Sequence, residues 1–249
     1  MSVCVHVTIK DGIYELVLDN PGRKNALSLS LLDALKEALA RARNDNARSV
    51  ILTGAGDTFS AGADLTDIIG TIDDIVVDEA IEQAVHEIQS LPAPIIVAIE
   101  GPCVGGAVEL ALAGDALVVS DDAYFQIPAT QLGLLYNPKA VMRMRARLSW
   151  ATLGRLLLFG ERLNAETAFR AGLVSCVVAA GGARDKAWEL GRCALMGEAH
   201  AVAATKELLV ALDRGETELG RWDQIRAEIL SSAERREAVS RAKKRLGRR

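Results

Sequence analysis

Aromatic residues make up only 4% of this 249-residue chain. With so few large rings, any core must be assembled from Leu, Val, Ile and Ala. The four cysteines, Cys4, Cys103, Cys176 and Cys193, include no C-x-x-C pair, and only His6, His86 and His200 are present to assist them. This argues against a zinc site or a disulfide framework, so no metal is expected and the thiols read as free, in a reducing compartment. No apolar run approaches the ~20 residues of a bilayer span. The N-terminal MSVCVHVTIKDG also lacks the charged and apolar regions of a signal peptide. A cytoplasmic protein without a membrane span is expected. A net charge of −4 gives no electrostatic case for nucleic acid or an anionic membrane.

What is present is ordinary globular composition, 50% hydrophobic and 25% charged, in a chain long enough to bury a sizeable core. Val3 to Ile9 and Ile13 to Leu18 are β-rich runs around Lys10-Asp11-Gly12, a hairpin signature. Ser28 is placed to cap a helix whose apolar residues Leu31, Leu32, Leu35, Ala38 and Leu39 follow helical spacing. Ser49 to Thr53, Ile95 to Ile99 and Ala116 to Ser120 read as buried strands, with a weaker one over Ala123 to Ile127. The spacing predicts an acidic-faced helix over 72–90, stopped by Pro92 and Pro94, and a short helix over Ala107 to Ala113. From about residue 139 the chain reads as helical, interrupted by a strand-like run over Leu173 to Val178. Alternating strands and helices imply an α/β fold. Residues 1–180 form the expected core and 181–249 a helical C-terminal region. The last ten residues, Ser240 to Arg249, carry six Lys or Arg and no acid, which reads as a solvated helix end or a partner surface.

Two loops carry the chemistry. The first, Thr53 to Leu65 (TGAGDTFSAGADL), has small residues that let a ligand approach the backbone, and Asp64 is placed to cap a following short helix. A dinucleotide site is disfavoured, because Phe59 replaces the third glycine of G-x-G-x-x-G. The second, Ile99 to Leu110 (IEGPCVGGAVEL), turns a strand into a helix near Gly105-Gly106, and Glu109 follows three residues on. A glutamate between Val108 and Leu110 on an apolar helix is costly to bury without a partner or a purpose. One N–H from each loop, aimed at a carbonyl oxygen, would form an oxyanion hole, in which losing one donor typically costs about 10²–10³ in rate.

Four segments resemble the crotonase (enoyl-CoA hydratase/isomerase) superfamily: Asn20 to Leu27 (NPGRKNAL), Ser60 to Leu65 (SAGADL), Pro94 to Asp115 (PIIVAIEGPCVGGAVELALAGD) and Gly160 to Val174 (GERLNAETAFRAGLV). The resemblance implies a core of repeated ββα units, a helical C-terminal region that completes the CoA site, and assembly into trimers or hexamers. It implies a CoA thioester as substrate or ligand, with no separate cofactor. By this resemblance the thioester oxygen would lie between the N–H groups of Ala63 and Gly106. Arg23, Lys24, Ala26, Ala61, Asp64 and Leu65 would bound the CoA, and Glu109 would be the acid–base residue. Hydratases of the family use a second glutamate, twenty residues on, where this chain has Ala129. Gln126, Gln131, Tyr136 and Asn137 are accessory candidates nearby. Three functions follow: an enzyme using Glu109 alone for isomerisation or slow hydration, a non-catalytic acyl-CoA binder, or another thioester reaction such as decarboxylation, hydrolysis or C–C cleavage.

Overall fold

The structure, a computed structural model, describes residues 3–246. It begins with β1 (Cys4–Lys10) and β2 (Ile13–Asp19), an antiparallel hairpin closed by Asp11 and Gly12. Both turn residues have positive φ, 54° and 80°, the geometry whose twist matches paired strands. Then come α1 (Leu29–Asn44), β3 (Ser49–Gly54) and α2 (Ile75–Ser90), followed by β4 (Ile95–Ile99), β5 (Pro102–Val104) and α3 (Gly106–Leu112). Next are β6 (Ala116–Ser120), β7 (Tyr124–Gln126), α4 (Pro138–Arg147), α5 (Trp150–Leu153), β8 (Leu163–Asn164), α6 (Ala165–Arg170) and β9 (Cys176–Val178). Four helices finish the chain: α7 (Ala183–Leu195), α8 (Ala199–Asp213), α9 (Gly220–Ser231) and α10 (Ala233–Leu246).

The large sheet has the order β1-β2-β3-β4-β6-β9 and is parallel after the first hairpin. A small sheet, β5-β7-β8, lies beside it. The units β4–β5–α3 and β6–β7–α4 each place their first strand in the large sheet and their second in the small one. The repeated ββα architecture is therefore present. β5 and β8 are additions to the sequence reading, which takes Gly101 to Gly106 as a plain turn.

Every residue of β4 is buried, as befits a central parallel strand covered on both faces. On one face α1 and α2 bury Leu31, Leu35, Leu39, Ile81, Val85 and Ile88 in the main core. Ser28 caps α1, its Oγ accepting from Leu31 N at 3.2 Å. On the other face α7 sets Ala183 and Ala187 against Ile13, Ile51, Ile96 and Val118. The boundary at residue 180 thus falls in the turn before a helix that closes the sheet. Fully buried Glu15 sits under α7, held by the Arg184 guanidinium and by Trp188 Nε1 at 3.0 Å. α8 is pinned by Lys206, which is 6% exposed and reaches Ala93 O at 3.0 Å, Ile88 O at 3.2 Å and Asp115 Oδ2 at 2.8 Å. Of the basic C-terminal run, the last three residues lie outside the described residues. Among the described residues, no helix is long and apolar enough to cross a membrane.

Candidate active site

The two glycine-containing loops lie side by side. Ser60 N donates to Pro102 O at 3.2 Å, and Val104 N donates to Ser60 O at 3.1 Å. A Cβ on Gly62 would lie 2.5 Å from Val104 O, and its φ is +91°, so close approach and backbone conformation both require glycine there. On its other edge the first loop is joined to the 20–28 segment. Leu27 N donates to Gly62 O at 2.7 Å, Asp64 N to Leu27 O at 3.2 Å and Ala61 N to Lys24 O at 3.0 Å.

These bonds fix where Ala63 points. Its neighbours Gly62 and Asp64 spend their polar groups on Leu27, in a parallel bridge between Leu27 and Ala63. Alternation along an extended segment turns the Ala63 N–H to the opposite edge, toward the second loop. In that loop Gly105, at φ +57° and ψ −127°, donates its N–H to Gln126 O at 2.8 Å. Its carbonyl accepts from Val108 N at 3.0 Å and from Tyr136 Oη at 3.2 Å. Among the described residues, neither the Ala63 N–H nor the Gly106 N–H donates to a protein acceptor. Both residues remain partly exposed, so a ligand oxygen can reach them. A Cβ at Gly106 would meet Ile81 Cδ1 at 2.7 Å, because α2 packs directly over the turn.

Glu109, one turn along α3, is 5% exposed among buried Ala107, Val108, Leu110 and Ala111. Burial pushes its carboxyl up to about 7. Arg143 opposes that rise, while the negative charges of Glu82 and Asp78 add to it. Arg143 of α4 is a residue that sequence reasoning did not single out. Its guanidinium bonds Glu109 Oε1 and grips Glu82 of α2 with two bonds of 2.9 and 2.7 Å. A cavity of about 20 Å³ adjoins this ion cluster, lined by Gln89, Leu112, Ala140 and Met144. Ala129, where the second glutamate of hydratases would stand, is 5% exposed and packs in the main core.

The residues expected to bound CoA lie on two segments, 20–28 and 60–66, that are hydrogen-bonded to each other. Arg23 Nη1 bonds Asp64 Oδ1 at 3.0 Å and Thr66 Oγ1 at 3.1 Å, tying the two segments together. Asp64 is buried, which by itself would raise its carboxyl. The Thr66 amide and hydroxyl, Arg23 and Asn20 outweigh that and hold it below the ordinary range. Asp64 caps a turn at Thr66 and not a helix, because the chain after it forms no helix until residue 72. The Ala26 carbonyl accepts from Asn20 Nδ2 at 2.8 Å, while Lys24, Ala61 and Leu65 face solvent.

The accessory candidates divide. Tyr136 joins the site through Gly105. Gln126 is occupied elsewhere, donating to Gly160 O at 2.8 Å and accepting from Arg162 Nε at 3.0 Å. Asn137 caps α4 through a 3.0 Å bond from Lys139 N, and Gln131 is exposed. Burial pushes the Cys103 thiol well above its usual value, so it is no nucleophile. One trio of metal-ligating types converges on the outer hairpin: Cys4, His6 and Asp19, where a 2.8 Å bond joins His6 Nε2 to Asp19 Oδ2. Cys4 and His6 lie on the edge strand β1, and Asp19 ends β2 beside it.

Comparison with known proteins bears on the family and the fold. A family model described as enoyl-CoA hydratase/isomerase matches residues 8–245. The carnitinyl-CoA dehydratase of Proteus mirabilis is 35% identical over 233 residues, covering 92% of this chain and 88% of that protein. The probable enoyl-CoA hydratase echA6 of Mycobacterium tuberculosis is 32% identical over 198 residues, covering 79% and 80%. Among solved structures, an enoyl-CoA hydratase/carnithine racemase from Magnetospirillum magneticum superposes with a TM-score of 0.89 at 26% identity, covering 98% of this chain and 94% of that one. An enoyl-CoA hydratase from Polaromonas sp. JS666 gives 0.88 at 27% identity, covering 99% and 98%. Matched along almost its whole length in both sequence and fold, the chain belongs to the enoyl-CoA hydratase/isomerase, or crotonase, family.

Proposed function

We propose that this protein is an acyl-CoA isomerase in which Glu109 is the only acid–base group. The observation that carries the reading is the pairing of two uncommitted amides, Ala63 and Gly106, with a buried carboxyl whose pKa lies about 7. The thioester oxygen sits between the amides, which stabilise the negative charge that grows there during reaction. The Glu109 carboxylate takes the proton from carbon α of a 3-enoyl-CoA, and the electron pair of that C–H bond moves into the thioester as a dienolate. Glu109 then returns the proton to carbon γ, and the double bond comes to rest between carbons α and β. One carboxyl suffices, because the proton removed is the proton returned. Hydration needs one group to activate water and a proton for the other carbon, and Ala129 supplies neither.

The exposed rim around Arg23 and Lys24 suits the CoA phosphates. The C-terminal helices complete that rim and carry the contacts of a homotrimer or hexamer. Leu209, Leu212, Leu219 and Leu230 are large apolar side chains that α8, α9 and the turn between them leave exposed. A cytoplasmic location goes with such a substrate.

The test is a panel of 2-enoyl- and 3-enoyl-CoA thioesters assayed by mass spectrometry and ultraviolet absorbance. Conversion of 3-enoyl to 2-enoyl, lost in Glu109→Gln, is expected. Tight binding of acyl-CoA with no product from any thioester would replace this reading with that of a binder. Consumption of malonyl- or β-ketoacyl-CoA would replace it with another enolate reaction.

A further inference from the structure

Glu109 would move a proton between two carbons, so its carboxylate must be held in place and its proton affinity kept near neutrality. Nothing on α3 does either, since its neighbours there are apolar. The charged groups facing it come from other elements, Glu82 and Asp78 on α2 and Arg143 on α4, and the neutral Tyr136 hydroxyl lies ahead of α4. Lys139 and His86 face Glu82 in turn. Among the described residues, only Arg143 touches Glu109 with a positive charge.

We propose that Glu82, Arg143 and Glu109 form a relay in which Glu82 orients Arg143, and Arg143 positions Glu109 for the proton transfer. The inference rests on the function proposed above. The geometry is specific. Glu82 takes the guanidinium with both oxygens, at 2.9 and 2.7 Å, which fixes its plane. The Nη2 shared between the two carboxylates reaches Glu109 Oε1. Arg143 is 22% exposed and Glu82 23%, so water screens the pair only in part. Met142 and Arg145 on the same helix are exposed, whereas Met144 and Arg143 turn inward. The arrangement clamps α2 to α4 across the end of α3, and it holds the acid–base side chain by one oxygen. A lone arginine beside Glu109 would hold it firmly ionised. A lone glutamate in that apolar setting would stay protonated. Sharing one guanidinium between two carboxylates gives the intermediate condition that a proton shuttle needs.

Two substitutions push the relay in opposite directions. The measurement is the pH profile of kcat/KM for the isomerisation, with a melting curve for each variant. In the wild type the limb should rise with a midpoint near 7 and disappear in Glu109→Gln. Arg143→Gln removes the positive charge, so the midpoint should move up by about one to three pH units. Arg143→Lys, which keeps the charge and loses the fork, should restore most of that shift. Glu82→Gln removes a neighbouring negative charge and leaves Arg143 to Glu109 alone, so the midpoint should move down, by up to about one unit. A merely structural role cannot move one limb both ways. Shifts in the same direction, or an unmoved midpoint in folded variants, would overturn the relay while leaving Glu109 as the acid–base residue. A wild-type limb that survives in Glu109→Gln would overturn the proposed function itself.

Discussion

Tyr136 donates its hydroxyl to the carbonyl of Gly105 at 3.2 Å, and through that peptide it acts on the N–H of Gly106. A peptide bond is planar, so its C=O and N–H turn together. A bond to the carbonyl also polarises the unit and strengthens its N–H as a donor. Burial, followed by the nearby negative charge of Glu109, pushes the phenol well above its ordinary value, so the proton stays on the hydroxyl. On the proposed function, Tyr136 keeps its proton and aims an amide. Tyr136→Phe should lower kcat about tenfold, less than the loss of an oxyanion donor itself. The Kd for a saturated acyl-CoA should hardly change. Infrared spectra of a carbonyl-labelled thioester should show a smaller red shift in the variant than in the wild type.

On the proposed function, Glu109 should set the working pH. Its carboxyl is raised to about 7, so the carboxylate needed to take a proton accumulates only above that value. Isomerisation should therefore fall as pH drops through about 7, well above the range of an ordinary glutamate. Glu109→Gln should cost about 10²–10⁴ in kcat at pH 8 with acyl-CoA affinity retained, as read by calorimetry and steady-state kinetics.

Ala129 offers a gain of function. A glutamate there restores the second acid at the position the family's hydratases use, and Ala129→Glu should raise hydration of 2-enoyl-CoA above the wild-type level, measured by loss of the enoyl absorbance. The site is 5% exposed, so the new carboxyl must be buried. The variant should therefore melt below the wild type.

Lys206 serves stability. Its ammonium caps the end of α2 by donating to Ile88 O, pairs with the Asp115 carboxylate, and has its pKa lowered by burial against the pull of Asp115. Lys206→Met keeps the stem and removes the charge, so the Ile88 and Ala93 carbonyls lose this donor and Asp115 loses its cation while keeping the bond from Ile95 N. The expected loss is about 2–4 kcal/mol in urea unfolding, with the α8 amides losing protection first in hydrogen exchange.

Much of this was legible in the chain because it is local. The Asp11-Gly12 turn and the Ser28 cap each need only a few consecutive residues, and the run Ile95 to Ile99 carries its burial in its composition. β5 and β8, of three and two residues, exist through partners far along the chain and leave no period to read. Glu15 looks like an exposed strand position until Arg184 arrives from 169 residues away. Arg143 escaped notice for a similar reason. In the run Met142-Arg143-Met144-Arg145-Ala146-Arg147 it reads as one more solvated charge, and only the docking of α4 beside α2 turns it toward Glu109. Asp64 reads as a helix cap because it is a good one, yet Thr66 takes the role of partner within a turn.

The stitching of residues 20–28 to 60–64, and of those to 102–105, has an evolutionary meaning. Under the proposed function the grip on the thioester is written in main-chain atoms, so side chains on α2 and after β7 would be at liberty to change without loosening it. A lineage would then exchange one acyl tail, or one reaction, for another while the same two peptide groups went on holding the carbonyl.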